Sequence, residues 1–329
     1  MDTDDKNLRI LTRRDVDAID ITLTDVLDVV AQAIGALADG TSANPAKLSV
    51  SPPDNSSVSY AMLGRDGARQ VVAIRASYRH DPHQDRTALR HYTTLTLYDD
   101  AAGLPLALMD CGRIGSLRTP AVSALMAREC AAPNARTALL IGTGTTARMA
   151  LPLLLTALPD LDRLMLFGTH PDGIAAVLEQ FTAHFPDRTV EVVSDVRAAA
   201  EEADILIGTA GPATPAAVEA DRLKPGALSV LVGYGLAPST LHRADRVIAT
   251  SAAQMAHTGS DLADARGTLR PVDVELADIL SGRTAGRTRP AERIFAYNSG
   301  LVVTDIALGH RFAELALAQG LGTEIPLWK

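Results

Sequence analysis

Aromatic side chains are scarce in this 329-residue chain, at 4% of residues, while hydrophobic residues make up 47%. Its cores must therefore be built from Ala, Leu, Val and Ile, a composition that suits helices packed closely on a sheet. Cysteine is nearly absent. Cys111 and Cys130 cannot form a disulfide framework, so a reducing, cytoplasmic compartment is expected and both thiols read as inert. No run of about 18 apolar residues occurs, which excludes a membrane-spanning helix. The opening MDTDDKNLRILTRRD is charged and has no apolar centre, so no secretory signal is expected. Basic excess is missing too: the net charge of −8 argues against nucleic acid as a partner. The one local concentration of arginine, Arg283 to Arg293, reads as a short solvated loop. Metal-binding clusters are also lacking. His80-Asp-Pro-His83 with His91 has ligand-like spacing but reads as a polar surface loop, so no metal is expected. Ser116 and Ser123 have no neighbouring His/Asp pair that would point to nucleophilic catalysis.

The length allows two domains. After Thr12-Arg-Arg-Asp15, apolar positions from Val16 through Ile19, Leu23, Val26, Val30 and Ile34 to Leu37 predict one long amphipathic helix, ended by Gly40. Gly40 to Ser57 reads as loop. Alternating or β-branched runs at 57–63, 70–77, 92–98 and 104–109 predict strands, the last two joined by the hairpin-type Asp99 to Gly103. This is an antiparallel α+β pattern. From Arg118 the rhythm changes. Helices are predicted at 120–130, 148–158, 173–184 and around 196–202. Strands are predicted at 138–141, 163–167, 189–193, 205–209, 228–232 and 246–249. Strands and helices alternating at this spacing imply a parallel, doubly wound α/β sheet. The apolar helix at 301–319 returns to the first domain.

Within that second region, an apolar run (Ala138 to Ile141) ends in Gly142-Thr-Gly144-Thr145-Thr146-Ala147 and a helical run follows. The first glycine permits the tight turn, the second lets backbone approach a pyrophosphate, and the small third residue lets helix and strand pack closely. The diphosphate would sit where free N–H groups and the helix dipole favour an anion. Strand, glycine turn and helix together point to dinucleotide binding.

Several blocks together resemble the ornithine cyclodeaminase/mu-crystallin family. They are Leu95-Thr-Leu-Tyr-Asp-Asp-Ala-Ala-Gly-Leu-Pro-Leu-Ala-Leu-Met109 and Gly115-Ser-Leu-Arg-Thr-Pro-Ala-Val-Ser-Ala124, followed by the glycine turn, Lys224-Pro-Gly-Ala227 and Ser299-Gly-Leu-Val-Val-Thr-Asp305. The resemblance implies a central Rossmann domain (118–305) and a discontinuous α+β substrate/dimerisation domain (1–117 and 306–329). It also implies a homodimer and an active site in the cleft between domains. Members share hydride transfer between a nicotinamide and the Cα of an amino or imino acid, and mu-crystallin also binds thyroid hormone.

An amino-acid carboxylate in a cleft needs fixed cations, best supplied by arginine because its planar fork is bidentate. The resemblance assigns this work to an arginine in an early loop, a lysine on the following strand and the arginine of an RT motif. Arg118 is the last of these, with Thr119 beside it on the cofactor side. The early loop carries Lys47 in place of arginine, and the strand carries Arg75 in place of lysine, so the two cations are exchanged. Total charge is kept, but arginine cannot act as an acid or base where lysine can. Alternatively Arg75 is a strand residue with its head in solvent and Lys47 an ordinary loop lysine. Met62 is placed with the substrate-binding residues. Tyr234 stands where cyclodeaminases carry an aspartate that handles amino groups. It either donates a proton or hydrogen bond to the substrate, or packs at the cleft. Its presence argues against ornithine cyclodeamination.

On the cofactor side, strand 163–167 ends in Gly168-Thr169-His170 with no acid to hold a ribose 2′-hydroxyl, which favours NADP over NAD. Thr209 ends a Rossmann strand and joins this group, and Ser299 and Gly300 match the family block near the nicotinamide. The expected function is NAD(P)H-dependent reduction of an imine or imino acid. A cyclodeaminase that borrows and returns hydride, and an NADPH-dependent small-carboxylate binding protein, are the alternatives.

Overall fold

A computed structural model describes residues 7–80 and 90–328. The chain divides into two compact units: residues up to Arg118 together with those from Leu301, and the intervening stretch Thr119–Gly300. Arg118 belongs to the first unit, and the chain re-enters that unit at Leu301 rather than at Ile306.

The first unit opens with β1 (Leu8–Leu11), α1 (Arg13–Ala18) and α2 (Leu23–Ala38). The apolar run expected as one helix is therefore two. Thr12 forms a capping box, its Oγ1 accepting from the Asp15 N–H at 3.3 Å while its own N–H donates to Asp15 Oδ2 at 2.8 Å. Ile19 is extended, and Thr22 caps anew by accepting the Asp25 N–H at 3.0 Å. Each cap satisfies a donor that a helix start leaves orphaned, so two capped helices replace one. Helix α2 buries Val26, Leu27, Val30, Ala33 and Ile34, and Gly40 follows it with φ +70°.

The stretch expected as loop contains β2 (Leu48–Val50), paired antiparallel with β3 (Ser57–Asp66). Strands β4 (Val71–His80), β5 (Arg90–Asp99) and β6 (Leu104–Asp110) continue the antiparallel meander. Asp99 shapes the last hairpin by accepting the N–H groups of Ala101 and Ala102 at 2.9 and 2.8 Å. Helix α3 (Gly112–Cys130) begins well before Pro120 and runs through it. Buried Ile114, Leu117, Ala121 and Leu125, spaced three and four apart, hold its apolar face. That burial outweighs the missing N–H of Pro120.

The second unit contains β7 (Thr137–Ile141), α4 (Thr145–Arg148), α5 (Ala150–Ala157), β8 (Arg163–Phe167), α6 (Pro171–His184), β9 (Val190–Val192), α7 (Val196–Glu202), β10 (Ile205–Gly208) and β11 (Leu228–Leu231). It continues with α8 (Pro238–His242), β12 (Arg246–Ala249), α9 (Ala252–Thr258), β13 (Val274–Glu275), α10 (Leu276–Leu280) and β14 (Ile294–Tyr297). The eight strands run in the order β13-β12-β14-β11-β10-β7-β8-β9, and every pairing is parallel. This is a doubly wound sheet. The segment expected as one helix at 148–158 begins at Thr145 and breaks at Met149. Pro152 offers no N–H to the Arg148 carbonyl and its ring crowds that carbonyl, so the helix restarts with the proline in its first turn. Strand β14 is absent from the sequence reading, yet it lies between β11 and β12. The arginine-rich stretch is a loop with most of its residues exposed, as expected, but it is anchored at Arg287 and Glu292. Arg287 donates to the carbonyls of Cys130, Pro290, Glu292 and Gly226 at 2.9, 3.2, 2.6 and 2.9 Å, and Glu292 accepts the Thr288 N–H at 2.9 Å.

The chain then returns to the first unit as α11 (Val302–Ala318) and β15 (Thr323–Ile325). The first sheet has the order β15-β1-β6-β5-β4-β3-β2, antiparallel except for β1 against β6. Helix α11 lies on its inner face, against α2 and strands β3 to β6. Gly309 makes this approach possible, because a Cβ there would run into Leu95 Cδ2. By the β3–β4–β5 register, Leu63, Ile74 and Thr96 share the opposite face, as do Tyr78 and Tyr92.

Candidate active site

Strand alternation places Met62, Arg75, Ser77 and Thr93 on the inner face of the first sheet, near its end at β3–β5. There α3 contributes Arg118 and α11 contributes Asp305. The Arg118 Nε donates to Asp305 Oδ1 at 3.1 Å, and the Arg75 Nε lies 3.4 Å from the same oxygen. Cys111 Sγ is 3.9 Å from it. Asp305 is fully buried and Arg118 is 8% exposed. Arg75 Nη1 also points to Met62 Sδ at 3.6 Å. Burial alone would lower the Arg75 pKa, but the Asp305 carboxylate and Cys111 outweigh it, and the guanidinium pKa is raised. Burial and the nearby carboxylate push the Cys111 thiol up to about 12, so it stays protonated. The reading of Cys111 as inert agrees with this position.

Lys47 is half-buried with its ammonium 4.7 Å above the Tyr60 ring. Burial first, and then the positive charge of Arg75, lower its pKa. Lysine at this place is therefore a weakened base near the permanent cation of Arg75. His91 Nε2 and Ser77 Oγ lie 3.0 Å apart, and burial together with Arg75 and Arg79 depresses the imidazole pKa. His83, part of the histidine motif, lies outside the described residues. The structure thus brings Lys47, Met62, Arg75 and Arg118 into one polar cluster. Asp305 and Cys111 complete it. The sequence signal for Asp305 was its place in the Ser299–Asp305 block; nothing local marked Cys111.

In the second unit, the glycine turn follows β7 at the point where strand order reverses between β7 and β10, the place where doubly wound sheets bind ligands. Gly142 has φ +112°, and a Cβ on it would lie 2.6 Å from Ala210 N and 2.8 Å from Thr209 C. Only glycine fits there. Gly144 is the N-cap of α4 with φ −76°, and a Cβ on it would meet nothing within 4 Å. The turn is therefore closed below by β10 and open above, with no side chain capping α4. An open, uncapped helix start of this kind is where backbone N–H groups can meet an anion. Thr145 and Thr146 are the first helical residues, Ala147 is buried, and Thr209 fastens the turn by donating its Oγ1 proton to the Ile141 carbonyl at 3.1 Å.

Thr169 and His170 are exposed after β8, and the His170 side chain makes no capping bond to α6. Ser299 follows β14 and is held by Thr250, its Oγ 2.7 Å from Thr250 Oγ1. Gly300 has φ +71°. The Thr119 carbonyl accepts from Asn298 Nδ2 at 2.9 Å, which ties α3 to the segment carrying Ser299. Tyr234 follows β11. Its backbone bridges Ala210, and its hydroxyl donates to Asp261 Oδ2 at 2.8 Å. That bond, with some burial, raises the phenol pKa. The proton of Tyr234 is engaged, so the group faces outward as an acceptor backed by a carboxylate. Sequence reading missed Asp261, which sits in a short helical turn far from Tyr234 in the chain.

The sequence model of the ornithine cyclodeaminase/mu-crystallin family matches residues 7–319. Among characterised proteins, Δ1-pyrroline-2-carboxylate reductase of Bacillus cereus is 29% identical over 240 residues, covering 70% of this chain and 72% of its own. The structure of Thermococcus litoralis Δ1-pyrroline-2-carboxylate reductase in complex with NADH and L-proline superposes with a TM-score of 0.83 at 21% identity, over 97% of this chain and 100% of the other. Iminosuccinate reductase of Paracoccus denitrificans in complex with NAD+ superposes with a TM-score of 0.83 at 18% identity, over 97% and 99% of the two chains. At these identities the structural likeness is one of fold.

Proposed function

Because the chain belongs to the ornithine cyclodeaminase/mu-crystallin family, we propose that it is an NAD(P)H-dependent oxidoreductase that reduces the C=N bond of an imino acid. The observation that carries this reading is the pair of arginines, largely buried Arg75 and buried Arg118, gathered on Asp305 with Lys47 electrostatically coupled to Arg75. Two guanidinium forks and an ammonium form a receptor for a carboxylate. Met62 supplies its apolar edge.

Gly142, Gly144, Thr145, Thr146 and Ala147 hold the pyrophosphate of the dinucleotide. Thr119, Thr209, Ser299 and Gly300 line the rest of its site. Thr169 and His170 stand where a ribose 2′-phosphate would lie with no carboxylate to repel it, which makes NADPH the preferred cofactor over NADH. When bound, the nicotinamide supplies hydride to the C=N carbon. The imine nitrogen must also gain a proton. Arg75 cannot give one at any working pH, and Cys111 is held neutral by burial and by Asp305. Lys47, with its lowered pKa, carries a proton on Nζ that it can release, so the exchange of lysine and arginine moves the acid from the strand to the loop. Tyr234, its own proton given to Asp261, is left as a hydrogen-bond acceptor.

Asp261 also favours a second reading. A carboxylate behind Tyr234 restores an anion suited to a substrate amine, as a cyclodeaminase requires. Self-association is part of the proposal. Leu48, Val50, Leu63, Ile74, Tyr78 and Tyr92 are exposed at 71, 73, 54, 45, 44 and 64%, and most of them share the outer face of the first sheet, which suits a homodimer. Among the described residues no helix is long and apolar enough to cross a membrane.

The decisive experiment measures NADPH and NADH binding, then cofactor oxidation with 2-oxo acids plus amines and with cyclic imino acids. Oxidation that requires a carboxylated imine and collapses in Arg118→Ala supports the reductase. Ammonia released from a diamino acid without net NADPH consumption selects the cyclodeaminase. Tight cofactor and carboxylate binding with no turnover selects a binding protein.

A further inference from the structure

We infer that Asp305 is the positioning residue of the carboxylate site: it holds the Nε edges of Arg75 and Arg118 so that their outer ends act as one clamp. The inference rests on the carboxylate-binding reading of this cluster. Two arginines placed side by side repel each other, and each long side chain has many rotamers to lose. A buried acid on the Nε side answers both problems. It screens the repulsion, fixes the Arg118 plane through a hydrogen bond and holds the Arg75 Nε edge in an ion pair, leaving the Nη groups to meet a ligand.

The geometry is specific. Both Nε atoms converge on Oδ1, at 3.1 and 3.4 Å, and the Cys111 thiol lies 3.9 Å from that same oxygen. Asp305 Oδ2 and Arg75 Nε are buried and have no hydrogen-bond partner among the described residues. They belong to one ion pair. Buried polar atoms are rarely left unpaired, so this imperfectly satisfied pair must be held in place by the elements around it. Here the carboxylate is anchored on α11, Arg75 on β4 and Arg118 on α3, so three elements fix the pair's spacing.

A merely charge-balancing aspartate would act in the opposite direction. Removing its charge leaves the site more positive and should tighten a carboxylate ligand. Positioning predicts weaker binding. The two roles therefore differ in sign.

The test uses the full-length protein with saturating NADPH and pyrrole-2-carboxylate, a planar carboxylate that hydride cannot reduce. In Asp305→Asn, an isosteric change, calorimetry should show its Kd raised at least about tenfold, with the NADPH Kd unchanged. An unchanged or lower Kd in the folded variant overturns the inference. A second measurement needs no change at Asp305. In the wild-type protein, NMR should show an arginine Nε–H signal protected from exchange and lost in Arg118→Lys, the arginine whose Nε donates to Asp305. Absence of that protected signal also overturns it. If no imine is ever reduced while these binding effects hold, the reductase reading fails and the role of Asp305 stands.

Discussion

Two glycines of one turn should respond in opposite ways to the same methyl group. In Gly142→Ala the new Cβ lies 2.6 Å from Ala210 N and 2.7 Å from its Cα, and the backbone is at φ +112°. Backbone cannot retreat as a flexible side chain can. Strain at such a φ costs about 1–3 kcal/mol and forced overpacking about 1–3 more, so a loss of about 3–4 kcal/mol of stability is expected. In Gly144→Ala the backbone is ordinary, at φ −76° and ψ −172°, and the methyl meets no protein atom within 4 Å. Alanine is a poorer N-cap than glycine but restricts the unfolded chain. The two effects nearly cancel, leaving stability within about 0.5 kcal/mol of wild type. That methyl would instead occupy the open side of the turn, where a pyrophosphate approaches. Loss of charge-assisted bonds at about 1.5–3 kcal/mol each predicts cofactor binding weakened by roughly 10- to 100-fold. Urea unfolding followed by circular dichroism reads the first effect, and titration of NADPH fluorescence reads the second. If Gly144→Ala binds NADPH as tightly as wild type, the open side of this turn is not a phosphate site.

If Lys47 is the acid, kcat should fall as pH rises through its depressed pKa, below the ordinary lysine value of 10.5. Lys47→Arg should remove that alkaline limb and most of kcat in a pH–rate profile. The folded protein holds the Lys47 proton less well than the unfolded chain, so this residue's effect on stability should improve with rising pH toward 10.5. Cys111 and Cys130, each fully buried and each with its thiol pushed up to about 12, should resist iodoacetamide at pH 8 until urea unfolds the protein. Fast labelling of either native thiol would contradict their placement. Glu292 is lowered to about 2 against burial by its hydrogen bonds from Thr288 and Arg289. Its contribution is present above the ordinary value of 4.5 and lost as pH falls toward 2, so wild type should lose more stability over that window than Glu292→Gln in acid titrations.

Much of the architecture could be read along the chain because its signals are local. Alternation at 57–63, 70–77, 92–98 and 104–109 marked β3 to β6, since side chains on a half-buried strand point alternately to opposite faces. The glycine turn could be read because φ +112° at Gly142 leaves no other residue a choice. The breaks between α1 and α2 and between α4 and α5 were harder. The apolar periodicity runs through both, and only the caps at Thr12 and Thr22 and the ring of Pro152 interrupt it. Strand β14 escaped because its three fully buried residues, Ile294 to Ala296, run together with no alternation.

By itself the sequence determined the supply of chemistry: an anion-binding turn, arginine and lysine at exchanged positions, a phenol where an acid was expected, and too few thiols for disulfides. Tertiary structure decided which of these groups act together. Arg118 and Asp305 are 187 positions apart, and Tyr234 and Asp261 are 27 apart in different elements. Charge type can be read from one residue. Whether a tyrosine's proton is free, or whether two arginines share one carboxylate, depends on strand register and on where a returning helix lies. Those are set by burial summed over the whole unit, which no short stretch of chain contains.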